Sequence, residues 1–438
     1  MSNLALAYKN QGKFNEAEIL FHQCLDIMKV AIGESNPDTM NTINNLAATY
    51  EEQGKYSKAE VLYKQCLAKR KAVLGDNDPS TLDTMGNLAG SYNSQGKNSD
   101  AEILYKQCLD RQKIILGESD CSTLNTMHNL AFTYDNQGKN NEAEELYKQC
   151  LDMQKAVLGE NHPNTLDTMN NLGNIFMHQE KYKEAHNLYK QCLDKRQVVL
   201  GKRHPETLGT MSNLASILGY EGKHSEGEAL HKQCLDKQRL VLGEQHPDTL
   251  DTMNNLAGSY SDQGKHSEAE VLYKQCLNAK EVVLGENHRS TVKTAGALAD
   301  AYATQGKHSA AQILYKQCLD RQKIVLGKSH PDTLATMHKL ASVYAIEDKY
   351  RDAEVLFKQC LDKRKVVLGE SHLDTLATMN NLAAAYADQG KCRDAEVLFK
   401  QCLDKRKVVL GESHPHTLST MNCLAKVVEI NQSQNLDL

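Results

Sequence analysis

Pro37-Asp38-Thr39-Met40-Asn41-Thr42-Ile43-Asn44-Asn45-Leu46-Ala47-Ala48-Thr49-Tyr50, followed by Gln53-Gly54-Lys55-Tyr56, then Ala59-Glu60-Val61-Leu62-Tyr63-Lys64-Gln65-Cys66-Leu67 and Val73-Leu74-Gly75, is the stretch that decides the fold. Apolar residues at 43, 46, 47 and 50 follow the i, i+3, i+4, i+7 spacing of one helix face. Residues 59, 62, 63, 66, 67 and 74 form a second apolar stripe, on a second helix. Gly54 supplies the turn between the two. Gly75 ends the second helix in a left-handed conformation that costs glycine nothing. Pro37 opens the first helix, where a missing N–H is no loss.

This unit recurs without a slip. Cys24, Cys66, Cys108, Cys150, Cys192, Cys234, Cys276, Cys318, Cys360 and Cys402 are each 42 residues apart. All seven prolines (37, 79, 163, 205, 247, 331 and 415) share one phase, and glycines from Gly33 to Gly411 share another. A period of this length marks a solenoid of stacked supersecondary units. The pattern predicts an all-α chain of alternating helices, the first of each pair (A) about 16 residues long and the second (B) about 19. Eleven A helices and ten B helices are expected. Residues 1–36 form a partial first unit. Residues 37–414 form nine full units with boundaries at 79, 121, 163, 205, 247, 289, 331 and 373, and residues 415–438 form a lone A helix with a polar tail. Leu424, Ala425, Val427, Val428 and Ile430 then lack a B helix to cover them, which suggests either a truncated gene product or end-to-end self-association, and residues from Asn431 onward are expected to fray.

Composition narrows the function classes. The chain is 40% apolar and 24% charged with net charge −5, a globular rather than disordered balance. An acidic chain does not suit nucleic acid or an anionic membrane surface. No apolar run reaches the length of a membrane span, and Met1-Ser2-Asn3-Leu4 has neither the basic nor the apolar region of a secretory signal. Ten in-phase cysteines have equivalent surroundings and no designated partner, and equivalent positions on stacked units lie too far apart to bridge. Reduced thiols and a cytoplasmic location follow.

No catalytic, metal or cofactor constellation appears. Gly327-Lys328-Ser329 resembles the end of a phosphate loop, but position 322 is Gln where that loop needs glycine. There is no C-x-x-C and no His/Cys cluster with zinc spacing. His162, His204, His246, His330 and His414 precede proline at five of the unit boundaries and read as loop or capping residues. The in-phase cysteines read as small buried packing residues, and only Cys121, Cys392 and Cys423 stand off phase. The chain is expected not to be an enzyme.

Leu46-Ala47, Tyr50, Gly54, Tyr56, Ala59, Tyr63 and Cys66 resemble the tetratricopeptide repeat (TPR) pattern, with cysteine in its small-residue slot. The 42-residue length, Leu-Gly-Glu-x-His-Pro-x-Thr-Leu and Asn-Asn-Leu-Ala are similar to the long TPR of kinesin light chains and nephrocystin-3-like proteins. The resemblance implies a right-handed α-solenoid whose concave groove binds extended peptides or partner proteins. By the kinesin comparison, those partners would be the kinesin heavy chain or cargo adaptors and the location cytoskeletal. The alternative it implies is a regulatory or assembly array, such as the sensor of a nucleotide-binding switch protein. Kinesin light chains also carry a heptad coiled coil before the repeats; this sequence opens at Ser2-Asn3-Leu4-Ala5, inside a first helix.

In peptide-holding TPR proteins an asparagine before Leu-Ala contacts the ligand. Here Asn45, Asn87, Asn129, Asn171, Asn213, Asn255 and Asn381 occupy that offset. An amide side chain both donates and accepts, which suits a peptide backbone or a tie between neighbouring helices. The same helix face carries Glu51, Glu52, Asp83, Asp135, Asp167, Asp251, Asp262, Asp300 and Asp388, against few bases, so it reads neutral to acidic and suited to neutral or basic peptides. Runs such as Lys69-Arg70-Lys71 and Lys363-Arg364-Lys365 read as basic outer faces of B helices. The exception is the unit starting at Arg289. Asn255 followed by Lys293 matches two members of a carboxylate clamp, with the third displaced to Lys339; drift in one degenerate unit explains the same residues.

Overall fold

A computed structural model describes residues 1–11 and 13–436. Its described residues form 21 α-helices, the eleven A and ten B helices expected. Two compact units divide the chain, Met1–Glu221 and Gly222–Leu438.

The first unit holds α1 (Ser2–Asn10), α2 (Phe14–Ala31), α3 (Pro37–Glu52), α4 (Tyr56–Leu74), α5 (Pro79–Ser94), α6 (Asn98–Ile115), α7 (Cys121–Asn136), α8 (Asn140–Val157), α9 (Pro163–His178), α10 (Tyr182–Val199) and α11 (Pro205–Tyr220). The second holds α12 (His224–Val241), α13 (Pro247–Asp262), α14 (His266–Val283), α15 (Arg289–Thr304), α16 (His308–Val325), α17 (Pro331–Ile346), α18 (Tyr350–Val367), α19 (Leu373–Asp388), α20 (Cys392–Leu410) and α21 (Pro415–Leu436). Odd numbers are A helices and even numbers B helices. None is long and apolar enough to cross a membrane.

Local chemistry places each boundary. Asn36, Asp78 and Asp120 cap α3, α5 and α7 by accepting the backbone N–H two residues on. His162, His246, His330 and His414 do the same through Nδ1 at 3.2 Å, while His204 makes no such bond. Gly75 takes φ +91° just past α4 and Gly54 takes φ +70° between α3 and α4.

Packing follows the two stripes. Leu46, Ala47, Ala59, Tyr63 and Cys66 are all at most 1% exposed. Each in-phase thiol from Cys66 to Cys150 donates to a carbonyl 26 residues earlier on the preceding A helix, at 3.3–3.4 Å. Burial pushes the Cys150 thiol up to about 12, which disfavours the reactive thiolate and fits a packing role. Consecutive copies are stapled by charge. Glu60 accepts from Lys64 and Lys97, both at 2.6 Å, and the two ammonium groups lie 5.4 and 5.5 Å from the Tyr92 ring centre. Burial works against the Glu60 carboxylate, yet its lysine partners hold it down at about 2.

Within each unit the A helices also touch one another directly, as α5 touches α7 and α13 touches α15. At the far end α21 stays helical to Leu436, Val427 is buried, and Asn431 donates to Glu396 at 2.7 Å. That amide takes the place that Gln263 holds on Glu228, 35 residues after the carboxylate, at 2.9 Å. Residues 437–438 of that tail lie outside the described residues.

Candidate peptide-binding face

The asparagines singled out by their offset lie on the A helices, and four of them join consecutive A helices. Asn87 donates to Asn44 Oδ1 at 3.4 Å, and Asn213 donates to Asn170 Oδ1 at 3.4 Å and Asn174 Oδ1 at 3.3 Å. Asn171 bonds with His128 Nε2 at 3.3 Å and Asn381 with His338 Nε2 at 3.2 Å. Each of these contacts uses the amide nitrogen and leaves its carbonyl oxygen to accept. Asn45 is half-buried and Asn129 exposed, and neither side chain makes a hydrogen bond. Asn255 is half-buried on α13.

The two lysines do not form a pair. Lys293 is exposed on α15. Lys339 is exposed on α17 and bound to Asp300 Oδ2 at 2.8 Å, while the other oxygen of Asp300 accepts from Tyr315 at 2.5 Å. Lys339 is therefore already neutralised by its own array.

The position four residues after each cysteine carries chemistry that sequence reasoning placed wrongly. From Cys66 onward it holds Arg70, Gln112, Gln154, Arg196, Gln238, Lys280, Gln322, Arg364 and Arg406, all 1–7% exposed; after Cys24 it is Met28. Arg70 and Arg364 are thus not on an outer face but inside the joint between copies. Each cation reaches forward to the next A helix, Arg70 to Thr84 at 2.7 Å and Arg196 to Thr210 at 2.7 Å. Its other arm reaches the side chain 29 residues earlier. Arg70 Nη2 meets Asn41 at 2.5 Å, Arg196 Nη2 meets Asp167, and Lys280 meets Asp251 at 2.7 Å.

Two copies lack that second partner. For Arg364 and Arg406 the residue 29 positions earlier is Ala335 and Ala377. Arg364 Nη1 donates to Asp374 O at 2.7 Å and Thr378 at 2.8 Å. Its Nη2 lies 3.9 Å from the exposed Asp374 carboxylate, beyond hydrogen-bond reach. Arg406 Nη1 donates to His416 O at 2.9 Å and Thr420 at 2.6 Å, and no carboxylate pairs with it.

A family model described as tetratricopeptide repeat matches residues 1–72, 62–114, 122–198, 206–282, 314–365, 332–407 and 374–434, and a second of that description matches 291–332. The chain belongs to the tetratricopeptide repeat family. No curated protein matches it. Among solved structures, a Podosopora anserina protein assigned as a kinesin light chain with nearly identical TPR-like repeats is 28% identical, over 47% of this chain and 98% of that one, with TM-score 0.43. BtubC (BKLC) from P. vanneervenii is 21% identical over 52% of this chain and 92% of that one, with TM-score 0.46. Rap protein, complexed with competence and sporulation factor, is 14% identical over 91% of this chain and 99% of that one, with TM-score 0.51, a likeness of fold.

In this TPR array the A-helix face is less acidic than its residue count. Asp167 and Asp251 are spent on buried cations, and Asp135 pairs with His178 at 3.0 Å. Glu51 accepts from Tyr63 at 3.2 Å, and burial raises its pKa. The buried-cation position had a readable signal: residues 59, 63, 66, 70 and 74 fall on one helical stripe. A long cation on an apolar stripe, alternating with Gln rather than with apolar residues, marks a hydrogen-bonding slot. Among the described residues no group of three His, Cys, Asp or Glu could hold a metal.

Proposed function

We propose that this TPR scaffold binds an extended, acidic peptide or peptide segment of a partner protein along its A helices, with its strongest contact across α17–α21. One observation carries the reading. Arg364 and Arg406 are buried guanidinium groups whose in-copy partner has been replaced by alanine. A buried cation with an unused donor favours a carboxylate brought from outside, since charge-assisted bonds in a low-dielectric joint are strong. Within the second unit Asn255 would hold the peptide backbone, with Lys293 an additional anion contact; in the first unit Asn45, Asn87, Asn129, Asn171 and Asn213 would offer a separate amide row of the same kind. The 42-residue unit supports an adaptor of the kinesin-light-chain type, carrying cargo in the cytoplasm.

The test is fluorescence anisotropy with matched acidic and basic peptide libraries. Arg364→Gln/Arg406→Gln keeps the residue that four other copies place in this slot, so the array should still fold. Acidic peptides are expected to bind the parent chain, more weakly at high salt, and to lose about tenfold or more in the double variant. Equal affinity for acidic and basic peptides, or an unchanged double variant, would overturn the reading. Binding of a kinesin heavy-chain segment tests the motor assignment separately.

A further inference from the structure

The B helices expose an aliphatic row that neither packing nor helix formation explains. Near their C-terminal ends stand Leu240, Val282, Ile324, Val366 and Val408, which are 80, 82, 78, 87 and 87% exposed. The next residue is valine in every one of these copies, and in four of them it is 40–45% exposed. A β-branched residue in an open helical position weakens the helix relative to alanine or lysine. Five consecutive copies nevertheless keep a large aliphatic group there. In the first unit the same row is interrupted by Ala72 and Ala156.

Three features of the row point to its partner. Its rungs are spaced by stacked helices, on the order of 10 Å apart, and a surface that meets every rung must share that spacing. Its area fits a homodimer: at roughly 100 Å² for each fully exposed side chain, it contributes on the order of 600 Å² per copy. A standard interface buries about 800 Å² per partner, and the row would be surrounded by further contact. Charge then sets the geometry. One turn toward the N-terminus on the same face, Asp236, Asp320, Asp362 and Asp404 are exposed. Lys237, Arg321, Lys363 and Lys405 stand beside them, so laying face on face would bury charges of both signs, whereas edge-on pairing of the aliphatic rows leaves them in water.

We propose that the row at the C-terminal ends of α12, α14, α16, α18 and α20 pairs with the same row of a second copy of this chain. The result is a two-fold dimer joined side by side, with the A-helix face left open to its peptide. This contact differs from the end-to-end association suggested by the apolar residues of α21.

Sedimentation velocity on the full chain, over a concentration series, tests it. The parent chain is expected to sediment as a dimer. Val282→Lys/Ile324→Lys/Val366→Lys should weaken dimerisation by about tenfold or more, because lysines would be desolvated in an apolar contact. Its helical circular dichroism should stay unchanged. Should the triple variant fail to fold, Val366→Lys alone reads the same contact with a smaller shift. A parent chain that stays monomeric at its highest soluble concentration overturns the proposal. So do folded variants that dimerise as tightly as the parent.

Discussion

His231 occupies a slot that other copies give to tyrosine or phenylalanine, such as Tyr63, Tyr147 and Phe357, and it is 0% exposed. Burial lowers its pKa to about 4. Its folded-state pKa therefore lies below the unfolded value of about 6.5, and the folded chain favours the neutral ring. The stabilisation is complete above pH 6.5 and falls as pH drops toward 4, by about 1.4 kcal/mol per pH unit. His231→Tyr should restore the aromatic packing and reduce this acid loss; His128 and His338, also depressed by burial, keep part of it. Urea unfolding at neutral and mildly acidic pH, for both chains, measures the difference. A parallel decline in the two would contradict the assignment.

Helix pairs depend on the cation slot at their joint. Asp167→Ala removes one arm of the Arg196 network while the guanidinium stays 4% exposed. The loss is expected to be about 1–2 kcal/mol, moderated because Asp167 itself is partly in solvent. Adding Arg196→Gln should recover most of it, since glutamine fills this slot in four other copies. A double-mutant cycle by denaturant unfolding isolates the coupling between the two residues. Additive losses would show that Arg196 and Asp167 do not act as a pair.

As a molecule, the array gains stability from each copy and from its neighbours, so it need not melt as one body. The weakest element should be α12. There Gly227 replaces the alanine of other copies and His231 their aromatic ring, so the helix has less propensity and less packing. Hydrogen exchange over residues 224–241 is expected to be about tenfold faster than over residues 140–157 or 350–367, the same helix in intact copies. Uniform exchange rates across these three helices would refute this.

Much of the architecture was legible because its period is fixed. A 42-residue phase assigns every residue a place, so Cys66, Tyr63 and Leu46 could be put in the core and Gly54 and Gly75 in turns from spacing alone. The same phase picked out the asparagines of the A helices. It could not tell that Asn87, Asn171, Asn213 and Asn381 bond to the preceding A helix, because that contact joins side chains about one period apart whose approach depends on stacking. Nor could charge counting show that Lys339 is held by Asp300.

The sequence by itself determined the helices, their order and the residues that pack them, since these follow from i, i+3, i+4 spacing, capping and turn chemistry within some 40 residues. Only the tertiary structure decided which charges are spent and which remain. Arg70 and Arg364 look alike in a string of basic residues. In the folded chain both are buried at a joint between copies, and the side chain 29 residues earlier separates them: Asn41 engages Arg70, whereas Ala335 leaves an arm of Arg364 without its partner. Burial and distance, not residue type, set the interaction energy of a charge, and both arise only when the copies stack.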